Sequence, residues 1–247
     1  MTPFFMAWMM FLALPCPSKK WDDNKKTEML AAYPFIGLIV GGIWLGIYKL
    51  CAVLHLQFVG LALTAVLPWL LTGFMHMDGF MDCADAVLSF KDREKRIEIL
   101  KDSHVGSFAV ICTAVLSIFT LAAWLQIQYM AKLWALLFIP VAVRAVISAC
   151  VLCFAPLKTS GYSGKIDDKK SKGCAAFCIA LAAVCCALGV VLCGLQGIAV
   201  ITGAVGALVV VLVIRHNLGG MSGDISGSAL TIGEACAVIA LALTAWL

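Results

Sequence analysis

The sequence predicts an all-α, polytopic integral membrane protein: about seven transmembrane helices and an N-terminal interfacial or re-entrant segment. Three observations carry this prediction. The 247 residues are 63% hydrophobic and only 13% charged, with mean hydropathy +1.01, which is more apolar surface than a soluble domain of this length needs. Apolar runs long enough to span a bilayer recur along the chain. Finally, fifteen of the eighteen Lys and Arg residues fall in alternate connections between those runs. No separate soluble domain and no internal repeat stand out, so residues 1–247 read as a single membrane-embedded domain.

Residues 4–14 (FFMAWMMFLAL) are apolar but too short to cross. No basic residue precedes them, and Pro15-Cys16-Pro17 is a poor cleavage context, so an interfacial or re-entrant segment is expected rather than a signal peptide. Spans are expected at about 31–53, 57–75, 104–127, 133–154, 173–193, 198–214 and 228–247. In the first span Gly37 and Gly41, and again Gly42 and Gly46, form G-x-x-x-G pairs that let helices approach closely. The loops 15–30, 76–103, 155–172 and 215–227 hold the fifteen basic residues. With seven spans all four lie on one side, which the positive-inside rule makes cytoplasmic. Twelve cysteines sit mostly inside apolar runs and read as small hydrophobes; the Cys150-x-x-Cys153 pair has no second pair to complete a zinc site.

The chemistry gathers in the stretch 76–106, HMDGFMDCADAVLSFKDREKRIEILKDSHVG. Asp78, Asp82 and Asp85 follow i, i+4, i+7 spacing and share one face of a helix. Three like charges on one face repel. A hard divalent cation turns that repulsion into binding and leaves positions for phosphate oxygens. A solvated acidic face would be more polar around the charges, yet Phe80, Met81, Cys83, Ala84, Ala86 and Val87 surround them. A metal-dependent phosphoryl-type transfer at a membrane surface is therefore expected, with Asp78, Asp82 and Asp85 as metal ligands. His76, a candidate general base, lies about 160° from the acidic face and joins it only if Gly79 breaks the helix.

Other motifs are less decisive. Asp102 and Ser103 either cap the third span or, beside Lys101, help to attract phosphate. Lys165 in GYSGKIDDKK belongs either to a phosphate-binding loop or to a topogenic basic loop. Gly219, Gly220 and Asp224 form a glycine-rich loop whose backbone can approach a ligand. Glu234 lies about two turns into the last span, where a carboxylate is costly; it either pairs with Arg144 or lines the site.

The segments HMDGFMDCADAVLSF, ILKDSHVGSF, GKID and GGMSGDISGSALTIGE, in that order, resemble the cobalamin synthase family of adenosylcobinamide-GDP ribazoletransferases, and LPCPSKKW and YPFIGLIVGGI resemble its opening. The resemblance implies a Mg²⁺-dependent transferase of cobalamin biosynthesis in the bacterial or archaeal inner membrane, its site facing the cytoplasm. It would transfer the phosphocobinamide of adenosylcobinamide-GDP to α-ribazole or its 5′-phosphate and release GMP. It further implies catalytic roles for His76, Asp78, Asp82 and Lys101, and substrate contacts for Asp102, Ser103, Lys165, Gly219, Gly220, Asp224 and Glu234. No nucleic acid partner is expected; a homo-oligomer or a complex with other corrinoid-pathway enzymes is compatible with this reading. The rival is a CDP-alcohol phosphotransferase making lipid head groups, but after Asp78-Gly79 the chain lacks the Ala-Arg of that pattern. A cation transporter would carry acidic residues inside the spans, and Glu234 alone qualifies.

Overall fold

The computed structural model describes residues 1–127, 133–157 and 168–245. Ten α-helices are found among them: α1 (Thr2–Phe11), α2 (Lys26–Val53), α3 (Gln57–Leu71), α4 (Met75–Leu88), α5 (Arg93–Ile99), α6 (Ser107–Ile127), α7 (Ala135–Cys153), α8 (Asp168–Cys193), α9 (Ile198–Leu218) and α10 (Gly223–Thr244). The all-α membrane architecture is as expected.

Five helical runs are long and apolar enough to cross a membrane, or six if α3 and α4, bent by 86° to each other, form one broken span. One of the five is the 49-residue run Lys170–Leu218. It reverses at Gly194 (φ +60°), where Gly197 meets the backbone of Gly189. Its α8 and α9 arms are therefore separate helices, so dividing this run and counting the bent pair as one span gives seven candidate crossings.

Boundaries differ from expectation where the chain turns. The expected span 57–75 stops at Leu71, because Gly73 (φ +61°) and Phe74 (φ +62°) both adopt left-handed backbone. That conformation is unfavourable for Phe and marks an over-determined bend. Within the polar connection 76–103, the helix expected to carry the aspartates is α4, running from Met75 to Leu88. It turns its Phe80, Cys83 and Ala86 face into the bundle. The last span begins at Gly223 rather than about 228, which draws Asp224 into its first turn.

The core is α2, α4, α7 and α10; α6, α8 and α9 present many exposed apolar side chains on the outside. Close packing depends on glycine at a few contacts. A Cβ on Gly37 would lie 2.5 Å from Pro140 O, and one on Gly41 would lie 2.8 Å from Leu136 O, so this G-x-x-x-G is the α2–α7 seam. The expected second pair, Gly42 and Gly46, faces open space.

Three spans carry a proline inside, Pro34, Pro68 and Pro140, and at the first two the carbonyl four residues back, left without its helical partner, is met by another helix. For Pro34 that carbonyl is Leu30 O, which accepts the Ser148 hydroxyl of α7 at 2.8 Å. For Pro68 it is Thr64 O, which accepts the Trp44 indole N–H at 2.8 Å. Neighbouring helices thus restore what proline removes, as an apolar environment requires.

The four basic connections gather at one end. There Lys170 pairs with Glu28 (3.1 Å), Arg93 donates to His216 O (3.1 Å), Arg96 to Asn217, and Arg215 lies 4.1 Å over the Phe154 ring. At the other end Lys49 sits 4.3 Å over Trp134. All twelve cysteines are free thiols.

Candidate active site

The site is built where α4 crosses the N-terminus of α10. Gly79 and Gly227 let the two backbones touch: a Cβ on Gly79 would be 2.8 Å from Asp224 Cα, and one on Gly227 2.9 Å from His76 O. The Thr231 hydroxyl donates to His76 O across the same contact (3.2 Å). Ser222 caps α10 by accepting from Ile225 N (3.3 Å), and its hydroxyl also reaches Asp224 (3.4 Å). The second glycine motif thus brings Asp224 to the acidic face of α4. Asp82 lies within the fields of Asp78, Asp224 and Asp85, and Asp224 within that of Asp78.

Asp85 does not join them as a free ligand. Its carboxylate accepts from Gly106 N (2.7 Å) and Ala109 N (2.9 Å), and so caps the start of α6. A Cβ on Gly106 would lie 2.5 Å from Asp85 Oδ1, which explains the glycine of K-D-S-x-x-G. This corrects one expectation: α6 is capped by a carboxylate from α4 rather than by Asp102 or Ser103. Among the described residues no three His, Cys, Asp or Glu side chains are grouped to hold a metal ion.

His76 is reached without a break at Gly79, because α4 is continuous from Met75 to Leu88. His76 is buried, with Nε2 3.2 Å from the Tyr33 hydroxyl and its ring 6.1 Å from that of Phe11. With Asp78 and Asp224 it borders a cavity of about 200 Å³ enclosed by α1, α2, α4, α7 and α10. The N-terminal helix is therefore part of the site wall. It is held by packing on α2 and by Ala13 N donating to Leu71 O (2.9 Å).

Glu234 belongs elsewhere. Its Oε1 pairs with Arg144 Nη1 at 2.7 Å, both side chains being buried, and it does not line the cavity. Of the two readings open in the sequence, the ion pair is found. Arg144 in turn lies 5.6 Å from the Tyr33 ring, so the pair braces the cavity wall from behind.

Gly219 (φ +89°) ends α9 in the left-handed conformation that glycine favours, and Gly220 passes within 2.7 Å of Leu157 N, measured from where a Cβ would be. Met221 N donates to Ala155 O (2.9 Å), and Leu157 N to Met221 O (2.8 Å). These glycines position the loop and do not border the cavity. Lys101, Asp102 and Ser103 are exposed on the turn after α5. His104 hydrogen-bonds Asp102 through N (3.0 Å) and Nδ1 (2.6 Å), which holds that carboxyl below its ordinary range. Lys165 lies outside the described residues.

Sequence reasoning missed Phe11, Tyr33, Ile147, Ser148 and Val151 on the cavity wall. Ser148 carried a usable signal, as a polar residue one turn from Arg144 within an apolar span. The others look like ordinary span residues.

The chain matches the family described as cobalamin-5-phosphate synthase over residues 3–242. It is 34% identical to the adenosylcobinamide-GDP ribazoletransferase of Clostridium botulinum (strain Alaska E43 / Type E3), covering 93% of this chain and 92% of that protein. It is 30% identical to the protein of that name from Clostridium perfringens (strain 13 / Type A), over 96% of each. With the one from Brevibacillus brevis it shares 28% identity over the whole of both chains. No solved structure matches. These matches do not favour the lipid head-group reading.

Proposed function

The chain belongs to the cobalamin-5-phosphate synthase family, and from that premise we propose that it transfers the phosphocobinamide group of adenosylcobinamide-GDP to α-ribazole or its 5′-phosphate. The observation that carries the placement of the reaction is the meeting of Asp78, Asp82 and Asp224 beside the cavity of about 200 Å³. A ribose hydroxyl attacks the phosphorus bonded to the aminopropanol arm of the corrinoid. The P–O bond to the GMP phosphate breaks, and GMP leaves with the electron pair. The hydroxyl proton passes to an ionisable group that lines the cavity, Asp78 or His76. Buried against Tyr33 and Phe11, the imidazole is fixed in place for that role.

Mg²⁺ is part of the proposal. Carboxylates completed by phosphate oxygens are a donor set that suits it, without a full protein cage. Asp78, Asp82 and Asp224 would hold it, and once bound it would offset the charge that develops on the departing GMP. Lys101, on the turn after α5, and Lys165 would draw in the anionic substrate. By the positive-inside rule the gathered basic connections face the cytoplasm, across an inner membrane in which the chain forms a single catalytic domain, alone, as an oligomer or with other enzymes of the pathway.

The test is turnover by purified protein in liposomes with Mg²⁺, adenosylcobinamide-GDP and α-ribazole, following GMP and cobalamin. Product from the wild type and about 10²–10³-fold less from Asp82→Asn is the expected result. Equal turnover by both would remove the carboxylates from the mechanism. No turnover by the wild type, with CMP released from a CDP-alcohol substrate, would overturn the reaction itself.

A further inference from the structure

The cavity beside Asp78 is small, and its walls are of two kinds. Phe11 of α1, Tyr33 of α2, and Ile147 and Val151 of α7 make an aromatic and aliphatic surface, while α4 and α10 contribute Asp78 and Asp224. The rings of Phe11 and Tyr33 are 4.1 Å apart, and those of Phe11 and His76 are within 24° of parallel. A volume of about 200 Å³ suits a flat two-ring heterocycle and is far too small for a corrin macrocycle.

We infer that this cavity seats the aromatic base of the acceptor nucleoside, with its ribose directed to Asp78 and Asp224. The inference rests on the reaction proposed above and deepens it. Adenosylcobinamide-GDP also carries a two-ring base, guanine, and the wall chemistry separates the two. Guanine presents several donors and acceptors that must be matched when it leaves water. Here the Ser148 hydroxyl already donates to Leu30 O (2.8 Å) and the Ser226 hydroxyl to Ser222 O (3.1 Å). The remaining uncharged polar pair, Tyr33 and His76, meet each other at 3.2 Å. A benzimidazole joined to ribose has a single free ring nitrogen and is otherwise apolar, so it leaves little unmatched. The bulky, charged donor then approaches from outside the cavity, and its diphosphate meets the ribose hydroxyl at the carboxylates.

Steady-state kinetics in liposomes tests this with Val151→Phe, which fills the cavity, and Val151→Ala, which enlarges it. Val151→Phe is expected to raise KM for α-ribazole about tenfold or more, to leave KM for adenosylcobinamide-GDP within about twofold, and to favour single-ring acceptor nucleosides. Val151→Ala, which keeps the fold if the larger side chain does not, is expected to improve acceptance of bases bulkier than dimethylbenzimidazole. A rise in KM for adenosylcobinamide-GDP instead would put guanine in the cavity and overturn the inference. Unchanged constants for both substrates in both variants would overturn it as well. Wild-type protein with no turnover of either substrate would sink the underlying reaction, an outcome distinct from an active enzyme with unmoved KM values.

Discussion

Asp82 and Asp85 stand less than one turn apart on α4, and their surroundings make them opposites. Asp85 is satisfied within the fold: two backbone N–H groups at the start of α6 donate to it, at 2.7 and 2.9 Å. Glu234, deep in α10, is likewise satisfied, by Arg144 at 2.7 Å. Asp82 faces Asp78 and Asp224 instead, three like charges brought together by two helices that touch through Gly79. Carboxylates that serve structure are each given a donor. The carboxylates proposed to serve chemistry are set against one another, which costs stability unless a cation joins them.

The contrast breaks most visibly at Glu234. Glu234→Ala leaves the Arg144 charge buried and unpaired, and thermal unfolding in detergent should register a loss of about 3–5 kcal/mol. The double variant Arg144→Met, Glu234→Leu should recover most of that loss, because what destabilises is the orphaned charge rather than the missing pair.

Asp82→Asn should behave in the reverse sense. GMP release should fall by about 10²–10³-fold, the order seen when a charge-stabilising group is removed from an active site. The melting temperature should hold or rise, because one of the mutually repelling charges has gone. A lower melting temperature would place Asp82 among the structural carboxylates.

Gly79→Ala probes the contact that brings the charges together. A methyl group 2.8 Å from Asp224 Cα meets backbone, which cannot rotate away. Stability should drop by about 1–3 kcal/mol, and GMP release should fall with it as Asp224 is pushed from α4. Release unaffected by this variant would show that Asp224 need not stay against α4.

The smallest effect is expected at Asp85. Asp85→Ala removes the cap of α6, and chemical denaturation should show a loss of about 0.5–2 kcal/mol, with GMP release at saturating substrate within a few-fold of wild type. If release is abolished while stability is kept, the distinction between Asp82 and Asp85 fails.

Much of the fold was legible because its signals are local. Apolar run length marked the spans, Gly73 and Phe74 aside. The i, i+4, i+7 spacing put the aspartates on one helical face, and the order of the glycine and aspartate motifs carried the family. The sequence also raised the Arg144–Glu234 pair as one of two options, but it had no means of choosing between them. Lys101, Asp102 and Ser103 look like site residues by motif, and they lie on an exposed turn.

What the sequence by itself determined, then, is the membrane architecture, the family and the presence of an acidic centre, since composition and periodicity are properties of each segment alone. Only the tertiary structure decided which carboxylate received which partner. It gave Asp85 to the α6 backbone, Glu234 to Arg144 and Asp224 to the acidic face of α4, and it brought Phe11, Tyr33 and Ser148 to one cavity. These assignments depend on how closely helices far apart in sequence approach. Glycines at two contacts and a left-handed bend at a third set that distance, and no local pattern encodes what lies on the other side.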